Sequence, residues 1–289
     1  MLEDLKPFGD VTTKLIKNNK KVKAKIIANQ NCVVGGLNLA KEAAIEAGSL
    51  IMKYYKKGYD IHEKSYHNPV TTADKEADAI IKEILLQDQL DYGWLSEETV
   101  DSKDRLSKKY IWVVDPLDGT KEFIEGVPNF VVSIALVNEN EPILGVLYNP
   151  VTGEIFSAAK DKGAYLNGEP IFCSKKEKLN QMIILNSRSE TNRGLWRSYA
   201  NIFRELKPVG SVAYKLGLTA AGKGDIFATL RPKNEWDICA GTCIINESGG
   251  KVIDLNGNDI IFNKEKTLIE PGLIAGEVSA VNKTFLAFQ

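Results

Sequence analysis

Apolar residues recur along the chain with two different periods. From Leu37 to Lys57 they fall at Ala40, Ala43, Ala44, Ala47, Leu50, Ile51 and Tyr54, the spacing of a one-faced helix, and Gly58 can stop it. A second helix is expected from about Asp74 to Gln87, with Ile80, Ile81, Ile84 and Leu85 turned inward. From Tyr110 to Lys160 the period shortens to that of strands: YIWVVD, FVVSIALV, PILGVLYNP and EIFSAAK. Asn167-Gly168 then marks a hairpin. The second half alternates. MIILNS reads as a strand, Thr191–Phe203 and Ser211–Lys223 as helices, DIFATL as a strand, Trp236–Glu247 as a helix, KVIDL and GLIAGE as strands, and the end as a last helix.

Strand runs followed by alternating strands and helices predict an α+β half joined to an α/β half. The expected division is an N-terminal extension over 1–36, a subdomain over 37–175 and a second over 176–289, with a seam near the charged SKKEKLNQ of Ser174–Gln181. The extension holds the lysine-rich KLIKNNKKVKAKII, reads as a solvated arm, and is closed by Gly35-Gly36.

Composition narrows the classes. The 289 residues are 44% hydrophobic and 26% charged, enough for a large core, and the formal net charge is -1. No global basic field favours nucleic acid or a membrane surface. No stretch approaches the ~18 apolar residues of a membrane span, and the first 30 residues lack a signal-peptide core. Cys32, Cys173, Cys239 and Cys243 lack zinc-site spacing and read as buried free thiols. A reducing, cytoplasmic compartment is expected.

The chemistry lies in acidic stretches beside apolar elements: PVTTADKEAD (Pro69–Asp78), GWLSEET (Gly93–Thr99), VVDPLDGT (Val113–Thr120) and NEWDICAG (Asn234–Gly241). In the third, Asp115 closes a buried strand, Pro116 removes a donor, and Asp118 returns to the same side with the carbonyl of Leu117 beside it. Hard divalent cations such as Mg²⁺ bind oxygen ligands of this kind. Gly119 and Thr120 open a helical turn whose free N–H groups can cradle a phosphate. Taken singly, Asp115 and Asp118 also suit a turn and a cap, and Asp237 suits an N-cap. Glu97 and Glu98 after an apolar strand end, with Asp237 opening an apolar helix, make one shared site the better reading. His62 and His67 lie in a polar loop and have no place in it.

Together SEET, WVVDPLDGTKEF and WDICAGTCIINESGG resemble the inositol monophosphatase-like superfamily of Mg²⁺-dependent, lithium-sensitive phosphatases, from about Leu37 to the C-terminus. The resemblance implies a layered αβαβα sandwich. It makes Glu97, Asp115 and Asp118 metal ligands with the Leu117 carbonyl, gives Asp237 to a second ion and Asp74 to a second or third, and has Thr120 orient the attacking water with Glu97 or Asp74. The cofactor implied is Mg²⁺, two or three ions.

DGTKEF is similar to the 3'(2'),5'-bisphosphate nucleotidase (CysQ-like) branch. Inositol monophosphatases place a glutamate for the inositol hydroxyls seven residues before the aspartate of the tryptophan-aspartate pair, where this chain has Leu230, which counts against inositol phosphate. VGSVAYK resembles the nucleotidase GS-x-x-x-K pattern, which would bring Ser211 and Lys215 to a second phosphate. Arg231 and Lys233 add cations, although the arginine departs from that branch's spacing.

The expected activity is hydrolysis of the 3'-phosphate of adenosine 3',5'-bisphosphate by metal-activated water. The alternatives are inositol monophosphatase or fructose-1,6-bisphosphatase activity, or a non-catalytic binder of metal or phospholigand. The expected partner is a small phosphorylated substrate, with no nucleic acid and no membrane. Resemblance leaves monomer and homodimer both open.

Overall fold

The computed structural model describes residues 30–289 apart from 59, 66–67 and 88–90, with the side chains of 30–34, 63–65 and 68–69 also outside the description. Most of the expected extension, the Cys32 side chain and His67 therefore lie outside the described residues.

Helix α1 (Gln30–Tyr54) leads through the hairpin β1 (Ile61–Ser65) and β2 (Asn68–Thr71) into α2 (Thr72–Leu86). Then come β3 (Gly93–Ser96), β4 (Tyr110–Asp118), the short α3 (Thr120–Ile124), β5 (Val131–Asn138), β6 (Glu141–Asn149), β7 (Glu154–Ala159), β8 (Ala164–Leu166) and β9 (Glu169–Ile171). Strands β3 to β9 form one seven-stranded sheet in chain order, antiparallel except for the β3–β4 pair. After it come β10 (Ile183–Ser187), α4 (Arg188–Asn192), β11 (Glu205–Val209), α5 (Val212–Ala220), β12 (Ile226–Thr229) and β13 (Lys233–Asn234). The chain ends with α6 (Glu235–Glu247), β14 (Gly250–Asp254), β15 (Leu268–Ile269), β16 (Leu273–Glu277) and α7 (Val278–Phe288). The second sheet has five strands in the order β11-β10-β12-β16-β14, and β13 pairs with β15.

The layering follows from the two-residue period of the strands. In β4, Ile111 and Val113 join one apolar cluster while Trp112 and Val114 join another. In β12, Phe227 turns to the first of these while Ile226 and Ala228 turn to a third. Both sheets are thus covered on both faces, which is why their central strands read as near-continuous apolar runs. From one side to the other run α1 and α2, the seven-stranded sheet, α5 and α6, the five-stranded sheet, and α7. This is the expected layered αβαβα sandwich.

Three expectations are corrected. Helix α1 runs through Gly35-Gly36, where the extension was expected to end, because the helix start packs on β6; a side chain at Gly36 would lie 3.2 Å from Leu144. The helix expected over Thr191–Phe203 is replaced by α4 and a turn of 3₁₀ helix at Arg197–Tyr199, interrupted at Gly194 with φ 75°. There Trp196 is buried and its Nε1 donates to Glu190 Oε2 at 3.0 Å, so a buried aromatic dictates the path. The polar loop holding His62 contains the β1–β2 hairpin. Strand β11 was not read either: ELKPV is polar and holds Pro208, as edge strands do.

Candidate active site

The site forms where β3, β4, α5 and α6 end in one cleft. Asp115 pairs with Ser133 on β5, and Asp118 pairs with Val131, so an extra residue bulges out of β4 between them. The bulge turns both carboxylates and the Leu117 carbonyl towards the cleft. Gly119 follows with φ 108°, and a Cβ there would sit 2.8 Å from the Asn129 carbonyl oxygen, so glycine is required. Glu97 follows β3, its N–H bonded to the Val114 carbonyl at 3.2 Å. Asp237 stands in the first turn of α6, and its Oδ2 accepts the Asn234 N–H at 2.9 Å.

Carboxylate oxygens of Glu97, Asp115 and Asp237 lie within 4.8 Å of one another. Glu97, Asp115, Leu117, Asp118, Gly119, Thr120 and Asp237 all line a cleft of ≈ 260 Å³. Burial is the main cause that pushes Asp115 well above the carboxylate range, with Glu97, Asp118 and Asp237 adding repulsion. Burial and the charges of Asp118 and Glu97 carry Asp237 up to about 8. Asp118 rises to about 6 through burial, held back by its bond from Ser211 and by Lys215. Buried hard oxygens with mutual repulsion fit a divalent cation, which would favour their ionised forms.

Asp74 stands behind the cleft. Its Oδ1 accepts the Thr120 hydroxyl at 2.9 Å, and its Oδ2 accepts the N–H and hydroxyl of Thr71 at 2.8 and 2.5 Å. The Thr120 hydroxyl also lies 3.2 Å from the Leu117 carbonyl. Asp118 faces the second half of the chain, where its Oδ2 accepts the Ser211 hydroxyl and the Ala213 N–H, both at 2.5 Å. It thereby caps α5 and can offer a cation only its other oxygen.

Ser211 and Lys215 reach the cleft wall but are engaged internally. Lys215 is buried, donates to the carbonyls of Val209 and Ser211 at 3.0 and 2.5 Å, and lies 5.3 Å above the Phe227 ring. Burial lowers it to about 8. Arg231 is exposed and does not line the cleft; Lys233, Lys121 and Arg188 do. Leu230 packs on the outer apolar cluster and does not line the cleft. Sequence reasoning missed Ser187, Arg188 and Ser189. Arg188 straps the rim by donating to Glu122 at 2.9 Å and Glu125 at 2.8 Å. The available signal was their place just past the carboxyl end of a strand in an α/β half.

A layered sandwich with convergent carboxylates and a helix-opening threonine at one cleft defines a metal-dependent hydrolase of phosphate esters. The chain belongs to the inositol monophosphatase family, which matches residues 36–287 and whose members are phosphoric monoester hydrolases. Inositol monophosphatase 3 of Solanum lycopersicum is 34% identical over 244 residues, covering 81% of this chain and 91% of the relative. A fructose-1,6-bisphosphatase/inositol-1-monophosphatase of Thermotoga maritima is 31% identical over 82% of this chain and 91% of its own. The crystal structure of the extragenic suppressor protein suhB from Bartonella henselae superposes with a TM-score of 0.79 at 29% identity, over 88% of this chain and 98% of that one.

Proposed function

We propose that this protein is a Mg²⁺-dependent phosphomonoesterase that releases inorganic phosphate from a small phosphorylated polyol, an inositol or sugar phosphate. The observation that carries the reading is the meeting of Glu97, Asp115 and Asp237 oxygens within 4.8 Å, beside the Thr120–Asp74 pair. Glu97, Asp115, Asp237 and the Leu117 carbonyl would hold the cation, which supplies Lewis-acid activation of water and offsets phosphoryl charge. Thr120, with its own proton on Asp74 Oδ1, leaves its oxygen lone pairs to accept a hydrogen bond from the attacking water. As the Thr120 oxygen takes the proton that the water loses, the Thr120 proton would pass to Asp74 Oδ1 behind it. Gly119 and Thr120 present the backbone of the first α3 turn to the phosphoryl group.

A second reading, hydrolysis of adenosine 3',5'-bisphosphate, is favoured by one observation. Lys121 and Lys233 line the cleft and join no ion pair among the described residues, so they can meet a second phosphate. The non-catalytic alternative is disfavoured by Thr120, which a binder does not need. Lithium sensitivity is expected on the same grounds of resemblance. The buried free thiols Cys173, Cys239 and Cys243 support a reducing, cytoplasmic setting.

The test is phosphate release from inositol 1-phosphate, fructose 1,6-bisphosphate and adenosine 3',5'-bisphosphate, each with Mg²⁺ and with EDTA. Fastest turnover of either polyol phosphate supports the first reading, and fastest turnover of the nucleotide replaces it by the second. No Mg²⁺-dependent release from any of them ends the catalytic reading.

A further inference from the structure

Helix α2 carries two buried carboxylates one turn apart, Asp74 and Asp78, with 2% and 7% exposure. Asp74 grips Thr120. Asp78 grips the other side of the site. Its Oδ1 accepts the Ser96 hydroxyl and its Oδ2 accepts the Thr99 hydroxyl at 2.6 Å. The Ser96 oxygen in turn accepts the Glu98 N–H at 3.2 Å.

These bonds bracket Glu97. Ser96 ends β3, and Thr99 lies two residues past Glu97. Directly beyond, Val100 is 94% exposed, so the segment has no apolar anchor on that side. Glu97 meanwhile points at Asp115 and Asp237, which repel it unless a cation intervenes. A turn that must hold a carboxylate within 4.8 Å of two others needs a second point of attachment, and Asp78 supplies one on each flank. A carboxylate suits the position because each of its oxygens accepts one hydroxyl.

We propose that Asp78 is a positioning residue: by accepting hydroxyl hydrogen bonds on both sides of Glu97, it holds the Glu97 carboxylate against Asp115 and Asp237 and so sets the affinity for the divalent cation. Asp78 does not line the cleft and acts through Ser96 and Thr99. The inference rests on the phosphomonoesterase reading and gives a role in its support to Asp78, the last residue of the acidic PVTTADKEAD stretch.

The test measures Mn²⁺ binding to the full chain by calorimetry, alongside the Mg²⁺ concentration for half-maximal activity. Asp78→Ala is expected to weaken both by ~10–100-fold, the range of outer-shell partners, while KM at saturating Mg²⁺ changes less than ~3-fold. Asp78→Asn, which keeps one acceptor oxygen, is expected to fall between Asp78→Ala and the native protein. The Ser96→Ala/Thr99→Val pair is expected to match Asp78→Ala, with little further loss when the three are combined. Glu76→Gln, on the exposed face of the same helix, is the control and should leave binding unchanged. Native Mn²⁺ affinity in Asp78→Ala overturns the proposal. Should that variant fail to fold, native affinity in Thr99→Val overturns it, since that side chain is half-buried and its loss spares the core. If the native chain itself binds no Mn²⁺, the functional reading fails before Asp78 is in question.

Discussion

Asp115 and Thr120 stand five residues apart on one turn, and their side chains answer to different partners. Asp115 Oδ1 accepts the Leu117 N–H at 3.0 Å, a bond that an amide oxygen can replace. Asp115→Asn should therefore keep the fold, seen as an unchanged circular dichroism spectrum, while Mg²⁺-dependent phosphate release falls by more than ~100-fold, past the loss typical of outer-shell partners. Near-native turnover would remove the metal-site reading. Thr120→Val keeps the shape and deletes the hydroxyl between Asp74 and Leu117. It should lower kcat with KM nearly constant. Combining it with Asp74→Asn should cost little beyond either alone, because paired groups act as a unit. Additive losses in the double variant would separate Asp74 from water positioning. Lys215 shows a limit of reading residues singly. Its spacing after Ser211 suggested a phosphate contact, while the carbonyls of Val209 and Ser211 engage its ammonium.

Between elements, the decisive contacts are those where small residues let a helix sit down on a sheet. Helix α6 crosses β6 so closely that a Cβ on Gly145 would come within 2.4 Å of the Ala240 carbonyl oxygen. Gly145→Ala must push helix and strand apart, and about 1–3 kcal/mol of destabilisation is expected from overpacking, measured by urea unfolding. No loss would show that this interface can slide. The same scale shows what the sequence made legible. The apolar runs of β4 to β7 and the stripe of α1 announce themselves, because two buried faces leave little freedom of composition. Residues 188–209 did not, since α4 and β11 are short, polar and held by tertiary bonds such as that from the Thr229 hydroxyl to Glu190 at 2.5 Å. Their register exists only once β10 is in place. The carboxylates were legible by their positions at element ends. Arg188 was not, because an arginine after a strand looks like an ordinary surface residue, and Asp78 stood in a marked acidic stretch without a role of its own.

Over the whole molecule, the buried acids make stability depend on pH and cation together. Asp118 and Asp237 have folded values of about 6 and about 8, and Asp115 is raised as well. An unfolded aspartate titrates near ~4. Between ~4 and about 8 the metal-free folded chain therefore binds more protons than the unfolded one, so its stability falls as pH rises through that window. A cation that prefers the ionised acids should reverse the loss. The gain in Tm from saturating Mg²⁺ over EDTA is expected to be larger at pH 8 than at pH 5, read by thermal scans. Equal gains at both would mean that the acids are not the ion's ligands.

The helix that delivers Asp237 lies in the middle layer, with Ile238, Cys239, Cys243 and Ile244 buried in the cluster between the two sheets. It cannot shift without opening the floor of one sheet or the roof of the other. The acidic end of the cleft is in that sense cast in place. The rim residues Lys121, Arg188 and Lys233 instead stand on short elements, α3, α4 and β13. New appetites for substrate can therefore be acquired by editing the rim alone, with the reaction beneath it left intact.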